Sequence, residues 1–301
     1  MKFDISRPSS SSCFRGGLRR ALAAAFAIVL LVAAAPVAAQ QRPLLTQDPE
    51  PIGAGNVLFE AGFEYGGDLL FPASGLEGTL LKLPVLGITI GVSSIAEIQI
   101  SGGPYNRLAI GQRYDAPLAA MLDLADDATS TSDVEDIVVG AKVRLLSEAP
   151  GRPGMAFRFA TRLPNAGNES GLGLDTTDFH ASLLFAKTVQ SIRAVGNIGL
   201  GILGDPTRGD RQNDVLTYGL SVARAIRQNV DVVGELNGRS SLRSGEPPVG
   251  TESRAALRTG LRFTHGAGRF DAGLILGFTS RDPSFGVTAG YTYLFKAFDV
   301  Q

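Results

Sequence analysis

The 301-residue sequence has no tryptophan, one cysteine and two histidines. One thiol cannot close an intramolecular disulfide, and two imidazoles beside it leave little for a four-ligand metal centre. No metal and no cofactor are expected. Charged residues are 19% of the chain, and acids and bases nearly cancel to a formal net charge of −1. That balance excludes the basic footprint of a nucleic-acid binder. Long apolar runs are also missing, with one exception at the N-terminus. What the sequence has instead is glycine, 37 residues of it, and many short apolar stretches.

The exception has the order of a secretory signal. Lys2, Arg7, Arg15, Arg19 and Arg20 stand against one acid, Asp4, and an apolar run follows over 21–35. Pro36-Val37-Ala38-Ala39 then supplies small residues before Gln40, as at a signal-peptidase site. The run is shorter than the ~20 residues a spanning helix needs, so cleavage after residue 39 is expected. Cys13 leaves with the signal, and the mature chain is slightly acidic.

Beyond residue 55 the sequence alternates apolar and polar residues with period two, the pattern of strands. Val57, Phe59, Ala61, Phe63 and Tyr65 share one face, with Glu60, Gly62 and Glu64 on the other. The same pattern recurs over 134–146, 155–163, 177–187, 230–242, 252–264, 269–279 and 285–295. Less regular segments at 79–92, 96–103, 192–203 and 215–224 bring the total to about twelve. In 79–92 the phase changes near Pro84, which predicts a bulge or edge irregularity. Long and short connections largely alternate, from 67–78 and the long 104–133 to the short 188–191 and 265–268. A membrane barrel sorts its loops in this way and a soluble sandwich does not.

The expected fold is all-β, a transmembrane antiparallel up-and-down β-barrel of about twelve strands. The domain plan is a signal peptide over 1–39, a periplasmic N-terminal segment over 40–55 and the barrel over 56–301. The apolar face, with Phe59, Tyr65, Phe179, Phe278, Phe285, Tyr293 and Phe295 near segment ends, would meet lipid, and the charged face would line a lumen. The location is then the outer membrane of a Gram-negative-type cell. The expected partners are outer-membrane lipid, the barrel-assembly machinery, with Phe295 or Phe298 as its signal, and a small-molecule solute.

The lumen candidates are Glu60, Glu64, Arg158, Arg162, Asp178, Arg239, Arg254, Arg258 and Arg262. Arg254, Arg258 and Arg262 form a basic ladder on one strand. Such a wall serves as a stiffening ion-pair network or as a weakly selective polar constriction. Asp123, Asp126, Asp127, Asp133, Glu135 and Asp136 make an acidic stretch that reads as solvated loop, with Ca²⁺ ligation as the alternative. Gly171-Leu172-Gly173 and Gly199-Leu200-Gly201 lack the helix that a phosphate loop needs. His180 and Ser182 share one face, and Asn197 would lie about opposite Ser182 if 188–191 closes a tight hairpin. Those are the parts of an acyl hydrolase, similar to the twelve-stranded outer-membrane phospholipase. In that enzyme the site faces lipid, however, whereas the apolar neighbours here turn His180 and Ser182 into the lumen. No enzyme activity is the main expectation.

Several short motifs carry a family resemblance. They are Leu45-Thr46-Gln47-Asp48-Pro49-Glu50-Pro51, Leu163-Pro164-Asn165, the run from Gly171 through Leu174-Asp175-Thr176-Thr177-Asp178-Phe179, and Gly290-Tyr291-Thr292-Tyr293. Together they resemble the outer-membrane family named for the meta pathway of phenol degradation. The resemblance implies a β-barrel that moves small, often aromatic or hydrophobic, molecules. A non-conducting structural barrel is the remaining alternative.

Overall fold

The structure is a computed structural model that describes residues 42–299. The signal peptide and Cys13 fall outside those residues. Fourteen strand segments form one antiparallel sheet that closes on itself through the pairing of the first strand with both the second and the last. The opening hairpin is β1 (Asn56–Phe71) and β2 (Leu76–Gly91). The next four segments are β3 (Ala96–Gly102), β4 (Asn106–Arg113), β5 (Ser130–Asp133) and β6 (Ile137–Leu146). The remainder run as β7 (Gly154–Leu163), β8 (Asp178–Val189), β9 (Ile192–Gly204) and β10 (Gln212–Arg227), then β11 (Val230–Ser241), β12 (Arg254–His265), β13 (Gly268–Gly277) and β14 (Phe285–Lys296).

The closed barrel has twelve staves, because two of them are broken. β2 pairs with β4 along 76–82 and with β3 along 86–91. The break falls at Pro84, which has no N–H to give the ladder, while Leu83 N–H still donates to Tyr105 O at 3.0 Å. The same interruption carries to the next stave, where β4 pairs with β5 and β3 with β6. The phase change near Pro84 is therefore real. The connection expected over 104–133 shrinks to residues 114–129, because its two ends are strand. The loop expected over 67–78 is likewise a turn at 72–75 capping an extended hairpin.

The connections sort by barrel end. Residues 92–95, 190–191, 228–229 and 266–267 make short turns at the end where β1 begins and β14 finishes, joined there by the longer 147–153. Residues 114–129, 164–177, 205–211, 242–253 and 278–284 make longer loops at the other end.

Sidedness is inverted relative to a soluble protein. Phe59, Ile98, Val139, Phe159, Leu200, Leu220, Leu261 and Phe270 are exposed on the outer wall. Lys142, Glu97, Glu235, Asp178, Asp271 and Thr292 are buried on the inner wall. An apolar belt over a charged interior suits a hydrocarbon surround and no other. Outside β13 and β14, Phe270, Tyr291, Tyr293 and Phe295 form a run of ring contacts with centroids 4.7–6.3 Å apart. The polarity reverts locally at both ends, with Ile52 and Leu58 packed together at the turn end and a larger group at the loop end. At the loop end Leu76, Leu80 and Leu108 form a buried cluster, against which Leu69, Phe71, Ile110, Leu122, Leu124 and Leu172 pack.

Candidate functional site: the lumen and its strap

The segment before β1 does not stand outside the barrel. Residues 42–52 lie across the lumen at the turn end as a strap, bonded to β3, β6, β9 and β11 through β14. The carboxylate of Glu235 accepts Leu45 N–H at 2.8 Å on one oxygen and Thr46 N–H at 2.7 Å on the other. Glu97 accepts Ile52 N–H at 2.8 Å, and Lys142 Nζ donates to Asp48 O at 2.8 Å and Glu50 O at 3.1 Å. Arg193 ion-pairs with Asp48 and Arg144 with Glu50. Arg42 donates to Thr288 Oγ1 and Ala289 O, and its Nε lies 3.6 Å from Asp271. Arg262 Nε donates to Arg42 O at 2.8 Å.

The strap is an irregular segment with no ladder of its own, so its buried backbone groups need partners from the wall. Charged side chains supply them. Glycine supplies the room. A Cβ at Gly219 would come 2.7 Å from Thr46 Oγ1, and one at Gly260 would come 3.0 Å from Pro43 Cγ.

Above the strap the lumen opens into a cavity of about 700 Å³. Its floor includes Leu45, Thr46 and Gln47, and its wall includes Glu64, Arg158, Arg162, Asp178, Arg239, Arg254 and Arg258 from the sequence-derived set. Arg262 lies beside the strap in a second, smaller cavity. Glu60 accepts from Thr292 Oγ1 at 3.4 Å on the inner wall. The ladder of arginines does not act as a unit. Arg258 pairs with Glu64 at 2.9 Å, Arg262 holds the strap, and Arg254 faces the cavity. Arg162 sits between Asp136 and Asp178, each at 2.5 Å.

The roof is the loop 164–177. Asp136 Oδ1 accepts from Asn165 and Ala166 N–H at 3.0 Å each, and Asp133 accepts Gly167 N–H at 2.9 Å. Ser74 Oγ donates to Gly171 O at 2.8 Å, where Gly171 takes a φ of +78°. Asp133 and Asp136 are thus hydrogen-bond acceptors for this loop rather than solvated charges. Among the described residues no group of three or more His, Cys, Asp or Glu is placed to hold a metal ion.

His180, Ser182 and Asn197 all reach the cavity, but not as a triad. The β8–β9 turn closes at 190–191, with Gln190 at a φ of +55°, two residues tighter than the sequence suggested. Ser182 is therefore opposite Gly199, and Asn197 is opposite Leu184. With its amide oriented to satisfy both atoms, Asn197 accepts Gln47 N–H at 2.7 Å and donates to Gln47 O at 2.9 Å. It anchors the strap and cannot orient a histidine at the same time.

At the turn end, outside the spanning strands, Glu148 joins this network. Partial burial pushes its carboxyl up. The Thr188 N–H at 2.7 Å and the Arg193 guanidinium at 3.0 Å outweigh that, and hold it below the usual glutamate range.

These features define an outer-membrane-type β-barrel with an internal strap. A solved structure shares the fold. The chain is similar to an outer membrane channel from Pseudomonas putida F1, at 13% identity and a TM-score of 0.54, over 82% of this chain and 98% of that one. A NanC porin overlays at 8% identity and a TM-score of 0.49, over 81% and 100%. LpxR from Salmonella typhimurium gives 9% identity and a TM-score of 0.41, over 80% and 100%. No family model matches the chain, and no curated protein does. The family resemblance therefore rests on the sequence motifs alone.

Proposed function

We propose that the protein is an outer-membrane channel for small solutes, with its lumen as the path and the strap as the constriction at the turn end. The observation that carries this reading is the cavity itself. A barrel stiffened only for structure would fill or fully pair its interior, whereas this one keeps about 700 Å³ of space walled by arginines and carboxylates. The likeness to a solved outer membrane channel is one of fold and is consistent with that use. The resemblance to the phenol meta-pathway family adds small, aromatic or hydrophobic molecules as the solute class. Such bodies suit the apolar side chains at the loop end of the cavity, Leu69, Phe71, Leu80 and Leu172. Placement in the outer membrane, insertion by the barrel-assembly machinery and export by the N-terminal signal belong to the same reading.

Liposome swelling on refolded protein tests it. Small solutes enter faster than into protein-free vesicles, and the rate falls as solute size approaches the cavity cross-section. Swelling equal to that of protein-free vesicles across the series sinks the channel reading and leaves a non-conducting barrel.

A further inference from the structure

Two arginines face each other across one rung of the sheet. Arg239 of β11 and Arg254 of β12 are register partners, and both line the cavity. Directly opposed side chains in an antiparallel pair have Cβ atoms about 5 Å apart, and like charges there repel. A wall built only for stiffness would place a carboxylate at one of the two positions. Asp178, Glu252 and Asp282 stand near enough to offset part of their charge, but none pairs directly with either. Arg239 donates from Nε to Glu252 O at 2.9 Å and from Nη2 to Gly250 O at 2.7 Å, both neutral carbonyls. Arg254 Nε is buried with no hydrogen-bond partner. The nearest acids are committed elsewhere. Asp282 accepts Ala255 N–H at 3.0 Å and Thr279 Oγ1 at 2.6 Å, and Glu252 lies 3.5 Å from Arg281. Arg162, the third guanidinium on this side, is held by Asp136 and Asp178. Among the described residues neither Arg239 nor Arg254 has a carboxylate within ion-pair distance.

The rest of the cavity gives the ligand its second half. Leu69, Phe71, Leu80, Leu172 and Leu174 line the same space from the loop end, continuous with the cluster around Leu76 and Leu108. A cavity with two fixed guanidinium groups that no carboxylate pairs with directly on one wall, and an apolar lining beyond, is complementary to an amphipathic anion. From this we infer that Arg239 and Arg254 bind the carboxylate of a small monocarboxylic acid whose hydrocarbon body lies against the leucine-lined end of the cavity. The inference rests on the reading of the lumen as a solute path and names the solute class.

Binding is measured without reference to flux, by equilibrium dialysis of labelled hexanoate against the full barrel in nanodiscs, with empty nanodiscs as the blank. Acetate, hexanol and inorganic phosphate are run beside it. Hexanoate binds, and acetate, hexanol and phosphate each bind at least about tenfold more weakly. Arg254→Gln and Arg239→Gln each lose about tenfold in hexanoate affinity. Both variants remove a like-charge contact, so both keep the heat-modifiable gel migration of a folded barrel. Equal affinity for hexanol and hexanoate, or phosphate binding as tight as hexanoate, overturns the inference on the parent protein alone. Unchanged hexanoate binding in both variants overturns it too. A barrel that binds hexanoate but passes no solute contradicts the channel reading and not this one. A barrel that conducts but fails to bind hexanoate does the reverse.

Discussion

Glu235 holds Thr46 by a hydrogen bond of 2.7 Å from the threonine N–H to one carboxylate oxygen, while the other oxygen holds the preceding residue's N–H at 2.8 Å. A side chain from the middle of β11 thereby fixes the backbone of a segment that lies 189 residues earlier in the chain. Each such charged bond contributes about 1.5–3 kcal/mol. The strap is as much a part of the lumen wall as the strands are.

The buried pair beneath the strap is the strongest stability test. Lys142 Nζ and Glu97 lie 2.9 Å apart with side chains 0% and 1% exposed. Lys142→Met strands the Glu97 carboxylate and is expected to cost about 3–5 kcal/mol. The double variant Lys142→Met with Glu97→Gln, which leaves an acceptor for Ile52 N–H, regains most of the loss. Urea unfolding in detergent or vesicles reads both.

The outer wall makes the opposite demand. Leu220 is 60% exposed near the centre of β10, opposite Leu236 on β11. Leu220→Arg places a cation at the bilayer midplane and is expected to destabilise the vesicle-inserted barrel by about 2–4 kcal/mol. A soluble barrel would tolerate the change at no cost, so a null effect in vesicles contradicts the sidedness.

Acid is expected to loosen the turn end. Although burial raises it, the Glu148 carboxyl is held low by Thr188 N–H and Arg193. A carboxyl with a depressed folded pKa contributes stability above its unfolded value and loses it as pH falls through the folded value. The turn over 147–153 should therefore stay ordered through neutral pH and loosen only below the usual glutamate range. The Thr188 amide proton shift, followed by NMR down to about pH 3, should titrate in the parent and stay flat in Glu148→Gln.

Asn197→Ala separates two roles for that residue. As a strap anchor it is expected to leave lipid hydrolysis at the same negligible level as the parent and as Ser182→Ala. Hydrogen-exchange protection of Gln47 N–H should fall. Phospholipid hydrolysis that drops in either variant would restore the hydrolase reading.

Strand positions and their two faces were legible in the sequence because alternation is local. Phe59, Phe63 and Glu64 declare their sides without reference to any partner. The charged inner wall followed from the same period, and so did the break at Pro84, since proline's missing N–H is a property of one residue. The strap was not legible. Residues 42–52 have no period, and their order comes from Glu235, Glu97 and Lys142, far away in the chain. The register across β8 and β9 was missed for a smaller reason. A turn at 190–191 instead of 188–191 moves each partner by two residues, and that alone takes Asn197 away from Ser182. The extended hairpin of β1 and β2 was hidden because Gly67, Asp68 and Gly78 read as turn residues, yet the chain carries them as strand up to the turn at 72–75. The like-charged pair at Arg239 and Arg254 was visible only as two members of a charged face until the β11–β12 register set them opposite each other.

Single-channel conductance in planar bilayers, comparing the full-length protein with Glu235→Ala, tests the account most directly. Removing both acceptors frees Leu45 and Thr46 and widens the passage at the turn end. The predicted result is a small conductance in the parent and a clearly larger or more frequently open one in the variant, with the folded migration of both unchanged. Identical traces from two folded barrels, or no conductance from either, would contradict a lumen that carries solute past a strap.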